Sequence, residues 1–356
     1  MLKIFKKDHI LKNSIQKILI SNILVFLVTI ILIEIFFGYW FKNKLENKLS
    51  SERNIYRVYE TNFEYLKNSS LYIKNNFGFR VKNLKEDISF PDIVIVGGST
   101  VNQKFLNYDE TVVGILKKNI SNYKILNAGV DGMSIKGHIN SFEMWFDKMN
   151  ELKPKYYIFL IGINDRYMVE TFKFRDYIDN LEESDNKSNI REYLESNSFF
   201  FVKGRIAKSV LYLKYGINLG IKKVKKNHVY IERDKLEFIS HADRKKEYQF
   251  LDKKDKHKYE KFKLWYLNQL NKLTKKVQER GSIPIFINQT TGYGQSFESL
   301  IVAETIINHC NKKKIKCIDV ARNLSLEYED FYDESHLNIS GSKKLANYIL
   351  SELNNL

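Results

Sequence analysis

Short, continuous apolar segments recur from Pro91 onward, and they constrain the fold of this chain more than any other feature of its sequence. A strand that is apolar at every position is buried on both faces, as in a parallel sheet covered by helices. Segments with helical periodicity separate these runs, and such alternation predicts an α/β fold. The apolar runs are residues 92–96, 123–126, 156–161, 283–287 and 315–320. The sequence therefore predicts a three-layer α/β sandwich with a central five-stranded parallel sheet.

Two apolar stripes mark the clearest of the intervening helices. Their members recur at the spacing that places side chains on one face of a helix. One stripe consists of Phe262, Tyr266, Leu270, Leu273 and Val277, and the other of Leu345, Ala346, Ile349, Leu350 and Leu353. Gly281 follows the first stripe at the position where a C-terminal cap is expected.

An apolar run near the N-terminus, Ile18–Phe41, is long enough to cross a membrane. Its 24 residues would span roughly 36 Å as a helix. Lysines outnumber acidic residues before the run, which favours a cytoplasmic N-terminus and an extracytoplasmic remainder. The alternative is a cleaved signal peptide, whose apolar region is usually about 7–15 residues long and ends in small residues, unlike this run. We therefore expect a single-pass anchor in the cell membrane.

The domain organisation follows from these segments. The stretch Lys42–Tyr72 is charged and has apolar residues at helical intervals, which is typical of a stalk. Residues from about 169 to 258 are polar and basic and lack the alternation of strand and helix, so we interpret them as an insertion that forms a lid or a substrate-facing cap. The predicted boundaries are a cytoplasmic N-terminus at 1–17, a transmembrane helix at 18–41, a stalk and lead-in at 42–88, and the α/β domain at 89–356.

The charge balance indicates little about partners. The chain of 356 residues has a net charge of +16, but its lysines are scattered and no nucleic-acid-binding signature accompanies them. We therefore expect no nucleic-acid partner. The densest cluster, Lys222–Lys226, is interpreted as a solvated face, with contact to an anionic glycan or lipid as the alternative.

Cys310 and Cys317 are the only cysteines, too few for a disulfide framework. We favour two buried free thiols over a single bridge, which an oxidising compartment would allow. His309 adjoins Cys310, but the spacing does not match that of metal ligands. No metal and no other cofactor is therefore expected.

Three glycine-containing turns follow the first three predicted strands. In a parallel α/β sheet, sites form beyond the carboxyl ends of the strands, which is where these turns lie. They are Gly97-Gly98-Ser99-Thr100, Asn127-Ala128-Gly129 and Gly162-Ile163-Asn164-Asp165. The glycines before Ser99 permit a tight turn, and the helix that follows would aim backbone N–H groups at an oxyanion. Ser99 is therefore the candidate nucleophile, although the turn alone is more often structural.

A serine hydroxyl needs a base to become a strong nucleophile, and His336 has the best setting among the histidines. Asp333 precedes it by three residues, so its carboxylate can bind one ring nitrogen and leave the other to act on the serine. Taken alone, Asp333 and His336 could also be a helix-capping pair. His138, which lies soon after Gly129, is interpreted as structural.

These blocks, in this order, resemble the SGNH branch of the GDSL-type esterases and lipases. The resemblance covers about residues 92–353, apart from the insertion, and implies an SGNH-hydrolase, flavodoxin-like fold. It also implies roles for the matching residues: Ser99, Asp333 and His336 as the catalytic triad, and Ser99, Gly129 and Asn164 as the oxyanion hole. The segment 75–80, NNFGFR, resembles the lead-in of membrane-anchored bacterial members. One departure is Gly98, which stands where the family has aspartate.

The resemblance and the anchor together predict a membrane-anchored serine ester hydrolase or O-acyltransferase. We expect its substrate to be an acylated cell-envelope glycan or a lipid-linked ester. The first alternative is a relative without catalytic activity that binds glycans or assists assembly. The second is a nucleotide-binding loop at Gly97-Gly98, which the absence of a Gly-x-Gly-x-x-Gly motif and a P-loop lysine disfavours.

Overall fold

The computed structural model describes residues 2–41, 49, 52–61, 65–169, 190–223 and 237–353. Its centre is a parallel five-stranded sheet, which confirms the predicted fold class. The strands are β3 (Ile93–Gly97), β4 (Ile125–Gly129), β5 (Tyr156–Leu160), β7 (Ile283–Ile287) and β8 (Cys317–Ile318). Their spatial order is β4-β3-β5-β7-β8. The chain therefore reverses its direction of winding at β3, and a switch point of this kind opens a crevice at the carboxyl ends of the strands.

Helices cover both faces of the sheet because every strand is apolar on both sides. Alternate residues of β3 belong to two separate hydrophobic clusters, with Val94 and Val96 in one and Ile93 and Ile95 in the other. The first cluster is covered by α4 (Ile135–Met144), α8 (Lys253–Glu279) and α9 (Phe297–Lys313). The second is covered by α3 (Val112–Asn119) and α11 (Ile339–Leu353). The two predicted apolar stripes lie on α8 and α11, and Gly281 ends α8 with a φ of +73°.

A smaller sheet forms mainly from residues that were predicted to be a helical stalk, and its third strand comes from the predicted insertion. β1 (Ile55–Glu60) pairs antiparallel with β2 (Ser69–Lys74), and the two-residue strand β6 (Lys222–Lys223) pairs parallel with β1. The helical prediction is wrong for these residues, because β-branched and aromatic side chains such as those of Ile55 and Val58 are buried in a strand conformation. Ile73 and Phe79 enter the main hydrophobic cluster, so this segment packs on the domain.

The N-terminal apolar run lies on the helix α1 (Leu2–Phe37). Within it, the 23-residue segment Ile15–Phe37 contains an 18-residue stretch with a mean hydropathy of 2.7, enough in length and composition to cross a membrane. The helix ends four residues before the predicted limit at Phe41, and it ends in contact with the domain. Glu34 accepts hydrogen bonds from Ser198 Oγ at 2.5 Å and from the backbone N–H of Phe199 at 2.9 Å.

Apart from the short strand β6, the regular structure in the described part of the predicted insertion is helical. It comprises α5 (Ile190–Asn197), α6 (Phe199–Tyr215) and α7 (His241–Gln249); residues 170–189 and 224–236 lie outside the described part of the chain. Helix α6 packs against β1 and α1. Helix α6 therefore joins the N-terminal apolar helix to the smaller sheet.

Cys310 and Cys317 are joined by a disulfide, so the preference for free thiols is wrong. Cys310 lies near the end of α9 and Cys317 begins β8, which places their Cα atoms 6.0 Å apart. This separation lies within the range that a disulfide can bridge. The sequence spacing does not reveal it, because only the turn after α9 brings the two residues together.

Candidate active site

Ser99 is the second residue after β3 and begins α2 (Ser99–Asn102). The turn requires glycine at position 97, because a Cβ there would lie 2.7 Å from Leu160 O of the neighbouring strand. Ser99 is half-buried at the carboxyl edge of the sheet, as predicted. Helix α2 is only one turn long, so it has no long macrodipole. Any partial positive charge near Ser99 comes from the backbone N–H groups of its first turn.

The structure brings the three residues of the predicted triad together. Ser99 Oγ lies 2.6 Å from His336 Nε2, and His336 Nδ1 lies 2.7 Å from Asp333 Oδ2. Asp333 also accepts backbone hydrogen bonds from Ser335 at 2.9 Å and from His336 at 2.8 Å. The carboxylate therefore holds the ring with Nδ1 protonated, and Nε2 is left to accept the serine proton.

The surroundings of His336 favour its protonated form. Burial lowers the pKa of His336, but the hydrogen bond to Asp333 and the charges of Asp333 and Asp131 outweigh burial and raise this pKa above 6.5. The Tyr332 ring stacks on the imidazole with an interplanar angle of 7°. Asp131 itself pairs with Lys104 at 2.6 Å. Burial raises the pKa of Asp131, but the charge and hydrogen bond of Lys104 and the hydrogen bond of Asn102 outweigh burial and lower this pKa.

Asn164 lies beside the turn that carries Ser99. Its Nδ2 donates to Met133 O at 2.8 Å, and the amide has a second hydrogen to offer. A Cβ at Gly98 would lie 3.0 Å from Asn164 Nδ2, so glycine at this position lets the amide approach the turn that carries Ser99. This contact gives a physical reason for glycine where the family has aspartate.

Gly129 does not present its N–H as the resemblance implies. This N–H donates to Asn127 Oδ1 at 2.9 Å, and a Cβ on Gly129 would lie 2.7 Å from Asn102 Cα. The close approach of α2 is therefore what this glycine permits. Gly132, three residues further on, has a φ of +72° and precedes Met133, the residue that accepts from Asn164. The turn at Gly132 is thus the better candidate for the second backbone donor.

Residues 75–80 support the loop that carries Ser99. The buried Arg80 side chain donates to the backbone oxygens of Asn102 and Leu106, which follow Ser99 in the chain. Burial lowers the pKa of Arg80 to about 10. Asp165 is also buried, and it accepts from Ile135 N at 2.8 Å and Tyr266 Oη at 2.7 Å. Both residues position the site.

His138 is buried away from the triad residues. Burial lowers its pKa to about 3, so it is neutral, in keeping with the structural interpretation. Among the described residues, no group of three or more His, Cys, Asp or Glu side chains is arranged to hold a metal ion.

Sequence reasoning missed Asp131, Lys104 and Tyr332 as neighbours of His336. Asp131 stands in the turn after β4, where the carboxyl-edge rule could have singled it out. Lys104 and Tyr332 lie on loops whose paths the sequence pattern does not specify.

No model of a known protein family matches the chain, and no curated protein matches it. Several solved structures are similar to it. One is a member of the lipolytic protein G-D-S-L family from Veillonella parvula, at 15% identity over 74% of this chain and 98% of that chain, with a TM-score of 0.41. Another is TesA, at 10% identity over 74% and 98%, with a TM-score of 0.39. A third is the acetylxylan esterase Axe2 from Geobacillus stearothermophilus, at 10% identity over 74% and 94%, with a TM-score of 0.40.

Proposed function

We propose that this chain is a membrane-anchored serine ester hydrolase or O-acyltransferase. The observation that carries the proposal is the continuous hydrogen-bonded chain from Ser99 Oγ through His336 to Asp333. A nucleophile, a base and a residue that orients the base are the elements that acyl transfer to serine requires.

In the proposed reaction, Ser99 Oγ attacks the carbonyl carbon of an ester while His336 Nε2 takes the hydroxyl proton. The tetrahedral oxyanion then collapses, the bond to the alcohol breaks, and His336 returns the proton to the departing oxygen. Water that attacks the acyl-serine gives hydrolysis, whereas a sugar hydroxyl gives acyl transfer. His336 serves as base and then acid in this second half as well.

The oxyanion would be stabilised by the Ser99 N–H, the second N–H of Asn164 and one backbone N–H from the turn after β4. We assign that backbone donor to Gly132, because the N–H of Gly129 already donates to Asn127. Donors fixed before the reaction stabilise developing charge without reorganisation.

Three features support an anchor with the catalytic domain outside the cytoplasm. Ile15–Phe37 is long and apolar enough to span a bilayer. The excess of lysine before this segment favours an N-terminus inside. The disulfide between Cys310 and Cys317 is of the kind that persists in oxidising compartments. An extracytoplasmic domain tied to the membrane would meet acylated envelope glycans and lipid-linked esters, and we propose these as the substrate class.

Labelling of the full-length chain by a fluorophosphonate probe tests the proposal. We expect the wild type and a Ser121→Ala control, which alters an exposed serine, to be labelled and to hydrolyse p-nitrophenyl acetate. Ser99→Ala should lose both properties. A wild type that resists the probe and cleaves no short acyl ester would leave a non-catalytic binding role. A C-terminal reporter active only in the cytoplasm would overturn the proposed topology.

A further inference from the structure

We propose that a cavity between β1 and α6 binds a phosphate group, carried either by the headgroup of an anionic lipid or by a soluble phosphate. The cavity has a volume of about 350 Å³, within the range of ~300–1,000 Å³ that is typical of small-molecule sites. It shares no lining residue with the Ser99 site. Binding here is therefore independent of the proposed esterase activity.

The charge of the cavity wall favours an anion. Among the described residues, four cationic side chains and one carboxylate line it. The cations are Arg57, Arg205, Lys208 and Lys222, and the carboxylate is Glu195. Glu195 lies 3.7 Å from Arg57 and 3.5 Å from Arg205, so two arginines share it. Glu60, on the same strand as Arg57, instead pairs with Lys223 and Asn218 outside the cavity lining.

Arg205 carries a donor that lacks an acceptor within the described part of the chain. Its Nη2 donates to Asn54 O at 2.8 Å and to Glu195 O, whereas its Nε is buried without a partner. Burial lowers the pKa of Arg205, Glu195 opposes that effect and Arg57 adds to it. A half-buried guanidinium beside a second arginine is stabilised by an anion that accepts from both, and phosphate matches the planar fork of arginine.

The position of the cavity brings it within reach of lipid headgroups. Ser198, just before α6, contacts Glu34 at the end of the apolar segment, and Tyr39 N–H donates to Asn197 O at 2.7 Å. Arg205 lies seven residues beyond Ser198 in the same helix, roughly 10 Å along its axis. Because the headgroup layer is itself several Å thick, a lipid phosphate at the membrane surface can approach this cavity.

The volume of the cavity exceeds what inorganic phosphate alone would fill. A phosphomonoester therefore suits it best, with the phosphate on the arginines and the esterified group in the remaining space. Lys208 completes the cationic wall, and its Nζ donates to Gly220 O at 2.5 Å, which holds it at the rim. Lys222 belongs to the lysine cluster for which contact with an anionic lipid was the alternative interpretation.

The test uses the full-length chain in dodecyl maltoside micelles, which contain no phosphate. Dihexanoyl phosphatidic acid, inorganic phosphate and phosphate-free dihexanoylglycerol are titrated by calorimetry. We expect dihexanoyl phosphatidic acid to bind and dihexanoylglycerol not to bind. Lys208→Gln and Arg57→Gln should each weaken the Kd at least about ten-fold, as expected for the loss of a charge-assisted contact. Lys214→Gln, an exposed charge on the same helix outside the cavity lining, is the matched control and should leave the Kd unchanged.

The arms of this experiment separate the sources of the phosphate. Tighter binding of the phosphatidic acid assigns the site to a lipid headgroup, and equal binding of inorganic phosphate assigns it to a soluble phosphate. The proposal fails if neither phosphate binds the wild type, or if Lys208→Gln binds as tightly as Lys214→Gln. Thermal unfolding of each variant identifies any that does not fold, and Lys208→Gln keeps the test decisive if Arg57→Gln is unstable.

Discussion

Asp131 accepts a hydrogen bond from Lys104 Nζ at 2.6 Å, and the two opposite charges of this pair act on the imidazole of His336. Asp131 raises the pKa of His336 and Lys104 lowers it. The pair therefore adjusts the pKa of His336, the base of the proposed triad, although neither residue belongs to the triad.

Substitution of Asp131 and substitution of Lys104 should move the pH profile of ester hydrolysis in opposite directions. His336 acts as a base only when neutral, so kcat/KM falls as the pH drops through its pKa, which lies above 6.5. Asp131→Asn should shift this acid limb to lower pH, and Lys104→Gln should shift it to higher pH. Asp109→Asn, a surface change, is the control. Parallel shifts in all three variants would refute the assignment.

Removal of the Asn164 amide should slow the chemical step far more than it weakens substrate binding. Loss of one oxyanion donor typically costs about 10²–10³ in kcat. We therefore expect Asn164→Ala to lower kcat by about that factor with little change in KM. Steady-state kinetics on a short acyl ester measures both parameters. Asn119→Ala, at an exposed amide that donates to Ile115 O, should retain full activity, and an Asn164→Ala enzyme with normal kcat would exclude this role.

The disulfide should stabilise the domain mainly by restricting the unfolded chain. Cys310 and Cys317 are seven residues apart, and a loop of about this size corresponds to about 2.5 kcal/mol at 25 °C. Cys310→Ser/Cys317→Ser should lower the free energy of unfolding by about that amount. Denaturant titration of the oxidised wild type and the variant measures the difference. Addition of a reductant should destabilise the wild type but leave the variant unchanged, and equal sensitivity of both would contradict the bridge.

Glu304 should make the free energy of unfolding depend on pH in the acid range. The hydrogen bond with His241 lowers the pKa of Glu304 from 4.5 to about 2. Burial opposes this shift, and Lys245 and Arg322 add to it. Because this pKa is depressed in the folded state, the stabilisation is complete above pH 4.5 and is lost as the pH falls towards 2. Glu304→Gln should lower the free energy of unfolding at pH 7 by about 1–3 kcal/mol and flatten that dependence.

The exposed Glu279 provides the comparison for this measurement. Its carboxylate lies 3.6 Å from Lys275 in a surface pair, and such pairs contribute about 0–1 kcal/mol. Glu279→Gln should therefore change the free energy of unfolding little at any pH. If Glu304→Gln behaved in the same way, the cluster around Glu304 would not be the stabilising element.

The sheet and the encounter of Ser99 with His336 could be predicted because both follow from local patterns. Apolar strands specify burial on both faces, and their carboxyl ends must share one edge of a parallel sheet. The sequence could not show whether the N–H of Gly129 is available as an oxyanion donor. Its acceptor, Asn127 Oδ1, is set by the side-chain conformation of Asn127 in the folded protein. The strand β1 was mistaken for a helix because its buried residues, Ile55, Val58 and Tyr59, are spaced as on one face of a helix and do not alternate. The disulfide depends on a turn geometry that residue spacing does not encode.

The contacts of Glu34 would limit which esters the proposed enzyme could reach. A domain on a flexible linker would sample many heights above a bilayer, whereas here the end of the apolar helix is held against α6 by Ser198 and Phe199. For a chain anchored as we propose, this contact removes the freedom to swing and sets Ser99 at one distance from the membrane surface. Selection among substrates would then depend on where along a glycan the acyl group lies, in addition to its chemical identity.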